Sequence, residues 1–166
     1  MNIVKFPDTI LRQRVPDFDF NNPVMDPIKL EKSMIETMLK HDGIGLAANQ
    51  VGILTRVFVM GHRDNPEAAQ AFFNPTIIAN ATEIADIEEG CLSFPGIYVK
   101  IKRPTKIKAQ WQNRQGIIEE GEFDGYNCKC FLHEYDHLEG IVFQDRVSTL
   151  KWNIAVKKTK LKRKHK

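Results

Sequence analysis

The sequence predicts an α+β fold, a single domain in which antiparallel β-sheet segments surround one central helix. Three observations lead there. Between residues 56 and 123, short apolar or alternating runs recur with turn residues between them, the pattern of antiparallel strands. A helix signal precedes this region, and a second helical stretch after it is apolar around the run His133-Glu134-Tyr135-Asp136-His137. A chain of 166 residues is the size of one domain, able to bury roughly 70% of its unfolded surface.

Residues 1–25, with Pro7, Pro16 and Pro23, read as an irregular arm. Asp26-Pro27 opens a helix, with Asp as N-cap and Pro at the first position. Ile28, Met34, Ile35, Met38 and Leu39 give it an apolar stripe, and Gly43 is the expected stop. Residues 56–60 read as a buried strand and 61–70 as a polar loop. Strands are expected over 72–80, 83–88, 97–102, 105–112 and 117–123, with a hairpin turn at Asn113-Arg114-Gln115-Gly116. The central helix spans 126–139, and Gly140 ends it. Ser148 caps a last helix through Leu150, Trp152, Ile154 and Val156.

Composition narrows the function classes. No stretch approaches the roughly 20 apolar residues of a membrane span. The first seven residues lack the apolar region of a signal peptide, and three cysteines make no disulfide framework, so the expected compartment is the cytoplasm. The net charge of +3 conceals an asymmetry. Lys157, Lys158, Lys160, Lys162, Arg163, Lys164 and Lys166 stand in the last ten residues without an acid, while the other 156 residues carry 17 basic and 21 acidic side chains, a net of −4. This tail either docks on RNA or is a solvated terminus. A nucleic-acid-binding module would account for the tail alone.

The chemistry concentrates at His133, Glu134 and His137. Histidines four apart on a helix share one face and can grip one metal ion, and a glutamate beside them can reach a water there. A catalytic site of this kind needs a third protein donor. The metallopeptidase pattern that continues to a third histidine meets Phe143 instead, and the acids downstream offer no convincing substitute. Upstream, Glu89-Gly90-Cys91-Leu92-Ser93 puts a thiol in a turn after a strand, either a ligand or a small buried hydrophobe. A third segment, Gly43-Ile44-Gly45-Leu46-Ala47-Ala48-Asn49-Gln50, lacks dinucleotide-loop spacing and ends in an amide that can donate to a developing oxyanion.

Together, in this order, the three segments resemble the peptide deformylase motifs, and the likeness runs from residue 3 to about 147, with Lys5-Phe6-Pro7-Asp8-Thr9-Ile10-Leu11-Arg12 and Phe143-Gln144-Asp145-Arg146 as matching flanks. The resemblance implies a catalytic domain over residues 1–147, followed by a C-terminal helix and basic tail over 148–166. It implies one divalent metal, Fe2+ natively with Zn2+ or Ni2+ as substitutes, held by Cys91, His133 and His137. Glu134 would be the general base, and the Gln50 amide and Leu92 backbone N–H would meet the charge on a formyl oxygen. The substrates would be N-formylmethionyl nascent peptides, and the product formate. The tail would then touch the ribosome, with no membrane and no dedicated DNA binding. Ile44, Tyr126, Cys130 and Phe131 become candidates for the methionine pocket, and Gly45 and Gly90 for backbone bonds to the peptide. Glu89 and Arg103 would brace the Cys91 turn, with Asp136, about 100° round the helix, in a supporting position. Leu132 and Tyr98 depart from the family pattern, where Gln and Arg are common.

Overall fold

A computed structural model describes residues 1–62 and 65–164, and only the backbone at 62 and 162–164. The elements run α1 (Pro27–Lys40), β1 (Gly45–Ala47), β2 (Val57–His62), β3 (Asn65–Asn80), β4 (Ile84–Cys91), β5 (Phe94–Pro104), β6 (Lys106–Gln112), β7 (Ile118–Asp124), α2 (Gly125–Leu138) and α3 (Thr149–Lys164). Single 3-10 turns at Thr9–Arg12, Ala48–Val51 and Phe143–Arg146 lie between them.

The strands form a five-stranded antiparallel sheet, in the order β1-β2-β3-β6-β7, and a separate β4-β5 ribbon. Residues on β2 alternate between two cores. Val57 and Val59 face α1 with Leu30, Met34, Met38 and Phe73. Phe58 and Met60 face α2 with Phe72, Phe131 and Leu138. The sheet is therefore covered on both faces, which is why residues 57–60 read as continuously apolar. Phe58, Phe72 and Phe131 are fully buried, each contributing about 1.5–3 kcal/mol. The Phe58 and Phe131 rings meet edge to face at 5.0 Å, fixing α2 against the sheet. A third core, with Leu11, Phe94, Ile101, Val142 and Phe143, lies under the ribbon.

The α1 start is as expected: Asp26 accepts from the Lys29 N–H at 2.9 Å and Pro27 is the first helical residue. Its end differs. Asp42 takes the left-handed conformation, with φ 58°, and the Gly43 N–H returns to the Met38 carbonyl at 2.9 Å. Ile28 is exposed, because Leu30, Met34 and Met38 define the buried face. The expected polar loop over 61–70 is mostly strand: Met60 pairs with Gln70 and His62 with Asn65. Much of this ribbon is exposed, so no alternation betrayed it. Arg63 and Asp64 lie outside the described residues.

The turn at residues 113–116 forms as read, with Gly116 at φ 79° and Asn113 Oδ1 accepting from the Gln115 N–H. Gly140, at φ 71°, follows α2. Ser148 caps α3 through the Lys151 N–H at 3.3 Å. The helix runs on to Lys164, eight residues past the expected end at Val156. Trp152 packs edge-on against Phe94 and Phe143, at 5.7 and 5.6 Å, while Leu150 and Ile154 face outward.

Candidate metal centre

Helix α2 is apolar on the face against the sheet and holds His133, Glu134, Asp136 and His137 buried on the other. Its C-terminal end is fixed by Asn49, whose side-chain N–H donates to the His137 carbonyl at 2.7 Å. Opposite stands the end of β4, where a bulge at Gly90/Cys91 turns the Cys91 thiol inward. The donor atoms of Cys91, His133 and His137 lie within 4.8 Å of one another. Cys91 Sγ and His137 Nε2 are 3.3 Å apart. A tetrahedral zinc-type ion with ordinary bond lengths sets such a pair about 3.5 Å apart. The soft thiolate and two imidazoles fit a divalent transition ion on donor chemistry and on spacing.

The residues around the donors orient them. Glu89 accepts from His133 Nδ1 at 2.8 Å, which leaves Nε2 facing Cys91. Glu89 also accepts from Arg103 Nε at 2.8 Å and Nη2 at 3.0 Å. Arg103 Nη1 reaches Asp136 at 2.6 Å, and Arg146 Nε holds the same carboxylate at 3.0 Å. The Glu89–Arg103 brace and the supporting place of Asp136 thus both appear in the geometry. Burial opposes charge on Glu89, but hydrogen bonds from His133 and Arg103 outweigh it and hold its pKa at about 2. Burial likewise opposes charge on His133, yet its bonds with Cys91 and Glu89 raise its pKa well above the ordinary value. Burial, then the His133 charge, keeps His137 well below it, as a neutral imidazole.

Glu134 is buried, and its Oε2 finds no hydrogen-bond partner among the described residues. Burial pushes its pKa up to about 7 against the pull of His133. That is the range in which a carboxylate exchanges protons near neutrality. Gln50 is also buried. Its Oε1 accepts from the Ala47 N–H at 2.9 Å, so Nε2 points to the site, 3.1 Å from Ser93 Oγ and 3.4 Å from Cys91 Sγ.

A cavity of ≈ 530 Å³ opens onto these groups. It gathers Ile44, Gly45, Gln50, Gly90, Cys91, Leu92, Tyr126, Cys130, His133 and Glu134. His137 stands behind the wall, and Phe131, expected near the methionine pocket, is fully buried in the sheet core and does not line this cavity. Burial raises the Cys130 thiol well above its ordinary pKa, so it is a neutral wall residue. At Gly45 a β-carbon would strike Glu134 Oε1 and lie 2.8 Å from Cys130 Sγ, so only glycine allows this approach. Tyr98, exposed, lays its ring over Gly90. Leu132, on α2, packs into the core between that helix and the sheet.

Sequence reasoning missed Lys5, His41 and Lys129 on the cavity rim. Lys129 Nζ donates to the Glu88 carbonyl at 3.2 Å and sits 4.1 Å from the centre of the Tyr126 ring. Rim cations carry no periodic signal and look like ordinary surface charges.

A model of the family described as polypeptide deformylase matches residues 1–153. A peptide deformylase of Thermotoga maritima is 44% identical over 156 residues, covering 92% of this chain and 90% of its own length. The crystal structure of a Legionella pneumophila peptide deformylase superposes with a TM-score of 0.88 at 32% identity, over 99% of this chain and 96% of that one. A class I type b peptide deformylase of Acinetobacter baumannii, solved with Met-Ala-Ser bound, gives 0.80 at 30% identity, over 89% and 98%. With the match spanning nearly the whole chain and the three donors gathered beside Glu134 and Gln50, the chain belongs to the polypeptide deformylase family.

Proposed function

We propose that this protein hydrolyses the N-formyl group from the N-terminal formylmethionine of newly made polypeptides, releasing formate. One observation carries the reading: Cys91, His133 and His137 converge within 4.8 Å, in the same site as a buried carboxylate oxygen, Glu134 Oε2, with no hydrogen-bond partner among the described residues. Cys91, His133 and His137 are the ligands in this reading, with Fe2+ as the native ion and Zn2+ or Ni2+ as substitutes. A divalent ion so held supplies a Lewis acid and lowers the pKa of water from 15.7 towards about 7.

The chain's own groups do the rest. Glu134 accepts the proton of the attacking water and returns it to the leaving amine. The Gln50 Nε2–H and the Leu92 backbone N–H meet the charge that develops on the formyl oxygen. Losing one such donor costs about 10²–10³ in rate. Among the described residues strand β1 lies at the sheet edge beside β2, and its Gly45 lines the cavity, where an extended peptide would lie alongside. Gly45 and Gly90 offer backbone groups to that peptide, and Ile44, Tyr126 and Cys130 receive the methionine side chain. The bound Met-Ala-Ser of the Acinetobacter relative agrees with a peptide ligand.

Residues 1–147 form the catalytic domain in this reading, and 148–166 the C-terminal helix and basic tail. No helix among the described residues is long and apolar enough to cross a membrane. The proposed setting is the cytoplasm, at the ribosome. Helix α3 contains no acid and exposes Lys151, Lys157, Lys158 and Lys160. The side chains of Lys162, Arg163 and Lys164, like His165 and Lys166 as a whole, lie outside the described residues. Deleting residues 157–166 is expected to weaken ribosome binding at low salt and to spare turnover of a short formyl peptide. Unchanged ribosome affinity removes the tail from the interaction.

The activity is tested with metal-replete protein prepared without oxygen. Formyl-Met-Ala-Ser should release formate, while an internal peptide bond in a blocked peptide should survive. No formate, or cleavage within the chain, rejects the reading.

A further inference from the structure

The two donors proposed for the formyl oxygen come from segments distant in the chain, the 3-10 turn Ala48–Val51 and the β4–β5 turn. The N-terminal arm bridges them. The Val4 N–H donates to the Gln50 carbonyl at 2.7 Å, and the Phe6 N–H donates to the Ser93 carbonyl at 3.0 Å. Between these bonds, Lys5 Nζ donates to the Leu92 carbonyl at 2.6 Å. Three consecutive residues therefore hold the backbone of Gln50, Leu92 and Ser93. The Phe6 ring stacks on Phe94 at 4.8 Å, which secures the arm just beyond the turn.

We infer that Val4, Lys5 and Phe6 act as a strap that sets the spacing of the oxyanion donors, with Lys5 a positioning residue for the Leu92 N–H. This inference rests on the reading of Gln50 and Leu92 as those donors. Donors aimed in advance at developing charge need no reorganisation during the reaction. Within the two-residue turn, Leu92 packs partly against the α1 core and Ser93 is buried, while the bonds to the Leu92 and Ser93 carbonyls come from the arm. Lys5 is exposed on its outer side and lines the cavity on its inner side, so replacing it removes a restraint without opening the core. A charge-assisted bond to a carbonyl is among the stronger neutral-acceptor contacts available to a surface side chain.

The test compares Lys5→Met, Lys5→Arg and Gln50→Ala in the metal-loaded enzyme with formyl-Met-Ala-Ser. It also follows hydrogen exchange of the Leu92 and Ser93 amides. Lys5→Met is expected to lower kcat about 5–20-fold, a fraction of the loss of a whole donor, with KM within about twofold. Exchange at Leu92 and Ser93 should quicken, and Lys5→Arg should recover most of both. Unchanged kcat in Lys5→Met beside a large loss in Gln50→Ala overturns the strap and leaves the donors standing. Unchanged kcat in Gln50→Ala overturns the donor reading, and the strap with it. A raised KM alone makes Lys5 a substrate contact, and a lowered kcat without faster exchange makes it a distant charge; either overturns the strap.

Discussion

Replacing Arg103 with Met removes the shared partner of two buried carboxylates. Arg103 is itself buried and makes two bonds to Glu89 and one to Asp136. Without it Asp136 keeps Arg146, and Glu89 keeps only His133. Glu89 has a folded pKa of about 2 against an ordinary 4.5. That difference corresponds to roughly 3 kcal/mol of stability at neutral pH. Because the folded pKa is depressed, this stability is present above 4.5 and is lost as pH falls towards 2. In the variant, burial dominates and the carboxyl pKa rises above its ordinary value, so the sign reverses. The folded variant then favours protonated Glu89, and its deficit is greatest at higher pH. Breaking a buried pair from one side costs about 3–5 kcal/mol, which sets the expected loss at pH 7. Urea unfolding of chelator-treated protein, wild type beside Arg103→Met, measures it. The gap should narrow by about 1–2 kcal/mol between pH 7 and pH 4.5. A loss under about 1 kcal/mol at pH 7, or a gap that widens on acidification, refutes the buried-network reasoning.

Gly45→Ala places a methyl against Glu134 Oε1 and Cys130 Sγ. Overpacking of this kind costs about 1–3 kcal/mol, and the displaced carboxylate should lower kcat at least about tenfold. Thermal unfolding and formate release check both, and wild-type kcat would show that the approach has slack. The pH profile offers a separate check. Glu134, raised to about 7 by burial, works as a base only when deprotonated, and a nearby divalent ion pulls its pKa down. Activity should therefore fall on the acid side with a midpoint between 4.5 and about 7, and a rate that climbs on acidification contradicts the assignment. Since His133 favours its proton, metal loading should release protons, and affinity should weaken as pH falls. Titration calorimetry in two buffers of different ionisation enthalpy reads this directly, and identical heats in both would contradict it.

Legibility varied with how local the cause was. Asp26 and Pro27 act on their own helix start, and the turn at Asn113 and Gly116 is equally self-contained, so both were readable. His133, Glu134 and His137 share one helix face, so their convergence followed from spacing. Cys91 did not, because its approach depends on how the β4–β5 ribbon packs against α2; its chemistry made it a candidate ligand, and the family resemblance decided between ligand and buried hydrophobe. The outer end of the β2–β3 ribbon, within the stretch 61–70, reads as a loop because residues 65–70 are largely exposed and show no alternation. Helix α3 has apolar residues on two sides, and sequence alone does not say that Trp152 packs while Leu150 and Ile154 face outward. The bonds from Val4, Lys5 and Phe6 to the site were hidden for a further reason: two of the three use backbone groups, which every residue has.

Glu134→Gln tests the central claim most directly. It keeps the shape of the side chain and removes its capacity to accept a proton. With metal content measured beside formate release, the variant should bind metal as wild type does and lose about 10²–10⁴ in kcat, the share carried by a general base. Near-normal formate release with the metal in place, or activity lost only because the metal is lost, would contradict the assignment of Glu134.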